Sequence, residues 1–163
     1  MEPNDEVRKA TILLVDDDSL IREMVHSVLT AARYHVLSAE DGPQGLDVAK
    51  DFKGEIQVLI SDFQMPGMSG IELASALTEV RPRLKVLLMS GFPGGMLVLN
   101  EGWHFLAKPF VASQLTALVE TLANPDKKSR FAQVLKQAEI GDVKPPRLSS
   151  EVAAYQASLK TKP

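Results

Sequence analysis

The 163-residue chain has no cysteine, which excludes disulfides, thiolate metal sites and a cysteine nucleophile and fits a reducing compartment. Aromatic residues are scarce, with one Trp and two Tyr. No apolar run approaches the roughly 20 residues that a membrane helix needs. The first nine residues are acidic and polar and lack the apolar stretch of a secretory signal. A cytoplasmic chain with no membrane partner is therefore expected. A block of one charge is also missing: 18 basic and 21 acidic residues leave a net charge of -3, and no basic tract is dense enough to follow a phosphate backbone. DNA is not an expected partner. What is present is 45% apolar content, enough for one buried core with an appendage.

The chain is organised around VLISDFQMPGMSG, residues 58–70. Apolar and small residues run into Asp62 and the run breaks at Met65-Pro66-Gly67, the pattern of a buried strand carrying a carboxylate at its tip. Three further segments end in the same way. Residues 12–15 form an apolar run ending on Asp16, Asp17 and Asp18, and Leu20, Ile21, Met24, Val25, Val28 and Leu29 then recur at helical spacing, with Asp18 or Ser19 as N-cap. Residues 34–39 read as a second strand, and Asp41-Gly42-Pro43 opens a helix with Leu46, Ala49 and Phe52 on one face. A third helix spans Ile71 to Val80 and stops at Arg81-Pro82. Residues 86–90 form a fourth strand ending on Ser90, and residues 103–106 a fifth that exits through Lys108-Pro109. Leu115, Leu118, Val119 and Leu122 mark a last helix.

Between strands four and five the glycines at 91, 94, 95 and 102 and Pro93 leave room only for a short or irregular helix. Strands alternating with helical crossovers predict an α/β fold: a doubly wound five-stranded parallel sheet with helices on both faces. The organisation expected is a flexible N-terminus over 1–10, a globular domain over 11–123, an amphipathic helix over 124–141 carrying Phe131, Val134 and Leu135, and a Pro-containing tail over 142–163 that is disordered or weakly helical.

In a parallel sheet Asp16, Asp17, Asp62, Ser90 and Lys108 all arrive at the carboxyl edge. Two carboxylates about 4 Å apart repel by roughly 4 kcal/mol at an effective dielectric near 20, so three of them call for a cation or a shifted pKa. A hard divalent ion such as Mg²⁺, content with one or two carboxylates, a carbonyl and waters, suits this set. With Lys108 as a fixed charge and Ser90 as a hydroxyl donor, the pocket is arranged to place a phosphoryl group on a carboxylate nucleophile. His26, His35 and His104 share no ligand spacing and are read as ordinary side chains.

ILLVDDDSL, VLISDFQMPGMSG, VLLMSG and FLAKPF, in this order, resemble the receiver domain of two-component response regulators over residues 11–123. The resemblance implies the flavodoxin-like strand order 2-1-3-4-5. It implies that Asp62 is the phosphoacceptor, that Asp17, Asp62 and the backbone carbonyl of Gln64 bind Mg²⁺, and that Asp16 holds the metal's water. Ser90 becomes the hydroxyl that follows the phosphoryl group, Lys108 its ion-pair partner, and Phe105 the aromatic that changes rotamer between states. It implies a histidine kinase or a histidine phosphotransfer protein as donor, a downstream protein target, and self-catalysed phosphorylation and dephosphorylation rather than conventional enzyme activity. A homodimer through the tail helix, or through the face of the fourth crossover, strand five and the last helix, is a further expectation. Two rivals remain: a receiver-shaped interaction module that is never phosphorylated, and a dehalogenase-type phosphatase with Asp16 as nucleophile. A Rossmann nucleotide site is excluded, because aspartates follow strand one where a glycine-rich phosphate turn would be required.

Overall fold

The computed structural model describes residues 8–91 and 103–124. The elements are β1 (Thr11–Val15), α1 (Ser19–Ala31), β2 (His35–Ala39), α2 (Gly42–Asp51), β3 (Val58–Asp62), α3 (Gly70–Val80), β4 (Lys85–Ser90), β5 (Trp103–Ala107) and α4 (Ala112–Ala123). The strands form one parallel sheet in the order β2-β1-β3-β4-β5. Both the five strands and their order agree with the sequence reading, and strand ends move by one residue only. The expected irregular helix between β4 and β5 and the tail beyond Asn124 lie outside the described residues, as do residues 1–7. The ordered unit begins before residue 11, since Ala10 is buried and its carbonyl accepts from His35 N at 2.8 Å.

Successive side chains of a strand point to opposite faces, so an unbroken apolar run needs cover on both sides. Leu13, Val15, Leu59, Val86 and Leu88 face Ala49 of α2 and Leu73, Ala74 and Leu77 of α3. Ile12, Leu14, Ile60, Leu87 and Met89 face Val25 and Leu29 of α1 and Leu115, Leu118, Val119 and Leu122 of α4. Each fully buried Leu or Ile contributes roughly 2 kcal/mol through its removal from water. The two-sided core fixes the register, because a slip of one residue would exchange the faces of every side chain.

Helix starts follow the local chemistry. Asp18 caps α1 by accepting from Leu20 N and Ile21 N, and Asp41 caps α2 by accepting from Gln44 N. Ser69 and Glu72 close a capping box at α3. The C-terminus of α1 closes in a Schellman pattern: Tyr34 N donates to Leu29 O at 3.1 Å and Arg33 N to Thr30 O at 3.0 Å. The residue in the left-handed position is Arg33, with φ 72°. Glycine is usual there, and a side chain at that conformation costs about 1 kcal/mol.

The start of α3 sits against the end of β3. A Cβ on Gly70 would collide with the Asp62 carbonyl and approach the Ser61 hydroxyl at 3.1 Å, while Gly70 N donates to Phe63 O at 3.0 Å. Only glycine permits this approach. Gly70→Ala is therefore expected to destabilise the fold by about 1–3 kcal/mol. Urea unfolding measures this, and a midpoint equal to that of the wild type would refute the close-approach account.

Candidate functional site

Because the strands are parallel and in register, β1, β3, β4 and β5 release their C-terminal residues side by side. Val15 pairs with Ser61, Asp62 with Met89, and Ser90 with Ala107. Asp16 is the next residue after β1, Asp62 ends β3, and Lys108 follows β5. Oxygens of Asp16, Asp17 and Asp62 all lie within 4.8 Å of one another.

Asp16 is fully buried. Its Oδ1 accepts from Asp18 N at 2.9 Å, which turns the chain into α1, and its carbonyl accepts from Arg22 Nη1 at 2.7 Å. Its Oδ2 lies 3.4 Å from Lys108 Nζ, which also stands 3.7 Å from Asp62 Oδ1. One ammonium thus bridges two carboxylates. Lys108 is held by its own backbone, whose N–H donates to Ser90 O at 2.6 Å, and the Lys108–Pro109 peptide is cis. Asp17 is exposed and faces the same opening.

Asp62 ends in an unfavourable place for a charge. Its carboxyl is raised to about 6, chiefly by burial, with Lys108 pulling down against it, Asp16 and Asp17 adding to the rise, and the Gln64 backbone N–H favouring the charged form. Three negative charges against one positive leave two unbalanced. An all-oxygen donor set with that imbalance fits a hard divalent cation such as Mg²⁺.

The other predicted residues take these positions. Ser90 is buried at the end of β4, next to Met89, the register partner of Asp62. Gln64 is exposed, two residues beyond the acid. Phe105 is in the core rather than at the edge, paired in register with Leu88. It reaches the site through Phe63, whose ring meets it edge-on at 5.9 Å and 73°. Asp18 serves α1 as its cap and lies outside the carboxylate cluster, which contains no histidine. Sequence reasoning missed Arg22, which braces the Asp16 carbonyl and pairs with Glu40 at 3.8 Å. It also missed Phe63 and Gly70. Gly70, a glycine at a helix start, was a readable signal; nothing in the spacing marked Arg22.

The Asp62 shift has a defined sign. A carboxyl at about 6 in the fold and 3.8 without its surroundings contributes stability that is fully present below pH 4 and is lost as the pH rises through 6. The loss amounts to at most about 3 kcal/mol. In the presence of a chelator, Asp62→Asn should be more stable than the wild type by about 1–3 kcal/mol at pH 7.5, with the difference closing toward pH 4. Denaturant melts at both pH values measure it, and an asparagine variant no more stable at pH 7.5 would contradict the burial of this charge.

The family model for the response regulator receiver domain matches residues 12–120. The response regulator receiver protein CpdR of Brucella abortus is 36% identical over 117 residues, 68% of this chain and 94% of that protein. The sensor kinase CckA of the same organism is 31% identical over 117 residues, 69% of this chain, and the match spans only 12% of that kinase's length. Among solved structures, the response regulator protein TrrA from Thermotoga maritima in complex with Mg²⁺ and BeF superposes with a TM-score of 0.58 and 28% identity, covering 69% of this chain and 98% of that one. The sheet order agrees with the fold of these matches, and the chain belongs to the response regulator receiver domain family.

Proposed function

We propose that the chain is a phosphoacceptor in two-component signalling, with Asp62 as the group that is phosphorylated. The observation that carries this reading is the bridging of Asp16 and Asp62 by the Lys108 ammonium at 3.4 and 3.7 Å, inside a cluster of three carboxylates. Of the two carboxylates that Lys108 bridges, Asp62 is the one with access: its side chain is 16% exposed, against 0% for Asp16. The same contrast disfavours a phosphatase with Asp16 as nucleophile, because Asp16 has both oxygens engaged.

An oxygen of ionised Asp62 attacks phosphorus, a P–O bond forms, and the donor's bond to phosphorus breaks with its electron pair leaving on the donor. A phosphohistidine of a histidine kinase or histidine phosphotransfer protein is the donor that this reading assigns. Asp16, Asp17, Asp62 and the Gln64 carbonyl would hold Mg²⁺, which when bound supplies charge neutralisation for the phosphoryl oxygens. Lys108 provides the second positive charge, already fixed beside the acceptor. The Ser90 hydroxyl donates to the new phosphoryl oxygens, and the movement is passed to Phe105, whose packing on Phe63 starts beside the modified residue. A shift between two states of this kind has a typical coupling of 1–3 kcal/mol and is read out by a protein target. A homodimer and a cytoplasmic setting belong to the same reading, and the kinship with CpdR, a receiver protein along 94% of its length, supports output by protein contact.

Intact-mass measurement after incubation with a small phosphodonor tests the reading. A Mg²⁺-dependent adduct of about 80 Da, one phosphoryl group, is expected on the wild type and absent from Asp62→Asn. Lys108→Met should cut the labelling rate by at least about tenfold through loss of the fixed charge. Labelling that survives in Asp62→Asn would overturn the assignment. A folded wild type that never labels while binding Mg²⁺ would favour the unphosphorylated interaction module.

A further inference from the structure

Arg22 lies one turn into α1, and its guanidinium is drawn inward rather than left in water. Its side chain is only 17% exposed, against 71% for Glu40, its ion-pair partner at 3.8 Å. Arginine is seldom withdrawn from water unless something holds it. The close contact is to the backbone: Nη1 donates to the Asp16 carbonyl at 2.7 Å, a short bond from a charged donor. The Glu40 contact is longer and faces solvent, which leaves it weak.

With that bond the backbone of Asp16 is held on both sides. Its N–H donates to the carbonyl of Ala39, the last residue of β2, at 3.3 Å. Its carbonyl is closed by the guanidinium, and Arg22 is itself fixed in α1 through its N–H, which donates to Asp18 O at 2.9 Å. A peptide unit is planar, so holding the Asp16 carbonyl also orients the N–H and Cα of Asp17. The turn after β1 is thereby set by its own helix and by β2.

The two acids of this turn are placed by different means. Asp16 has its carboxylate fixed directly, with Oδ1 on Asp18 N at 2.9 Å and Oδ2 3.4 Å from Lys108 Nζ. Asp17 is exposed, yet one of its oxygens lies within 4.8 Å of oxygens of Asp16 and Asp62. An exposed side chain has several rotamers open to it, and what they can reach depends on the direction in which the backbone launches it. That direction is what the Arg22 contact controls.

We propose that Arg22 is a positioning residue for the divalent-cation site: by holding the Asp16 carbonyl it keeps the Asp17 carboxylate within reach of the ion. The inference rests on the reading of Asp16, Asp17 and Asp62 as a cation site, and it adds a residue from outside the carboxylate cluster. Its sign is diagnostic. A guanidinium acting through space repels a cation, so removing that charge would tighten cation binding. A guanidinium acting through the Asp16 peptide does the reverse, and outer-shell partners of metal ligands change affinity by about 10–100-fold.

The test is a Mg²⁺ titration of the ¹⁵N-labelled full chain without phosphodonor, read on the amide resonances of residues 16–18 and 62–64. Arg22→Met, which keeps the stem and removes the fork, should raise the Mg²⁺ dissociation constant by about tenfold. Glu40→Gln, which loses the ion pair and leaves the carbonyl contact, should bind within about twofold of the wild type. Urea midpoints without Mg²⁺ establish that each variant is folded. If Arg22→Met is not, Arg22→Lys decides, with weaker binding expected although its charge is kept. The proposal is overturned if a folded Arg22→Met binds Mg²⁺ as tightly as the wild type or more tightly, if Arg22→Lys standing in for it binds unchanged, or if Glu40→Gln loses as much as Arg22→Met. A wild type without saturable Mg²⁺ shifts is a separate result: it removes the cation site itself, and this assignment with it.

Discussion

The Lys108 ammonium between Asp16 and Asp62 is the contact on which the carboxyl edge depends. Without it, three carboxylate oxygens within 4.8 Å of one another would face each other across a partly buried pocket. With it, one negative charge is offset and two are left, a balance that a divalent cation completes. The lysine comes from β5 and the acids from β1 and β3, so the contact exists only when all three strands are in register. Fold and site therefore stand or fall together.

Register in turn is enforced from both faces of the sheet. α2 and α3 cover one side and α1 and α4 the other, and the buried apolar residues of the strands divide between the two faces. The few polar groups admitted to this interior have defined tasks. Ser61 donates to the Asp62 carbonyl at 2.9 Å, and its small size together with that of Gly70 lets α3 start against the end of β3. Asp16, the buried carboxylate, spends one oxygen on the turn into α1 and the other on Lys108. The buried polar side chains Asp16, Ser61 and Ser90 sit at or near the carboxyl ends of their strands, while the middles of β1, β3 and β4 are apolar.

The two ends of the sheet differ in composition. The carboxyl edge gathers acids around one lysine, while arginines and imidazoles line a cavity at the amino edge, with no acid among the described residues of its wall. Between them the connection from Asp62 to the core is aromatic: Phe63 follows Asp62 directly and meets Phe105 of β5 edge-on.

Strand and helix periods, the acidic turn after β1, the carboxylate at the tip of β3 and the Lys-Pro exit of β5 were all legible in the sequence, because a period of two or 3.6 residues and a turn residue are local properties. The assignment of Asp18 as a cap was equally local, since capping needs only the next three residues. Arg22 on the Asp16 carbonyl, Phe63 on Phe105, and the meeting of Arg8, His26, Arg33 and His35 around one cavity had no signature in the chain. His26 and His35, which share no ligand spacing in sequence, share a wall in space, while His104 lies on β5 away from it. What the sequence by itself determined is which residues end each strand and which faces are apolar. What only the tertiary structure decided is which of those ends touch, because a contact between residues 16, 62 and 108 depends on the order and register of strands that no local preference encodes.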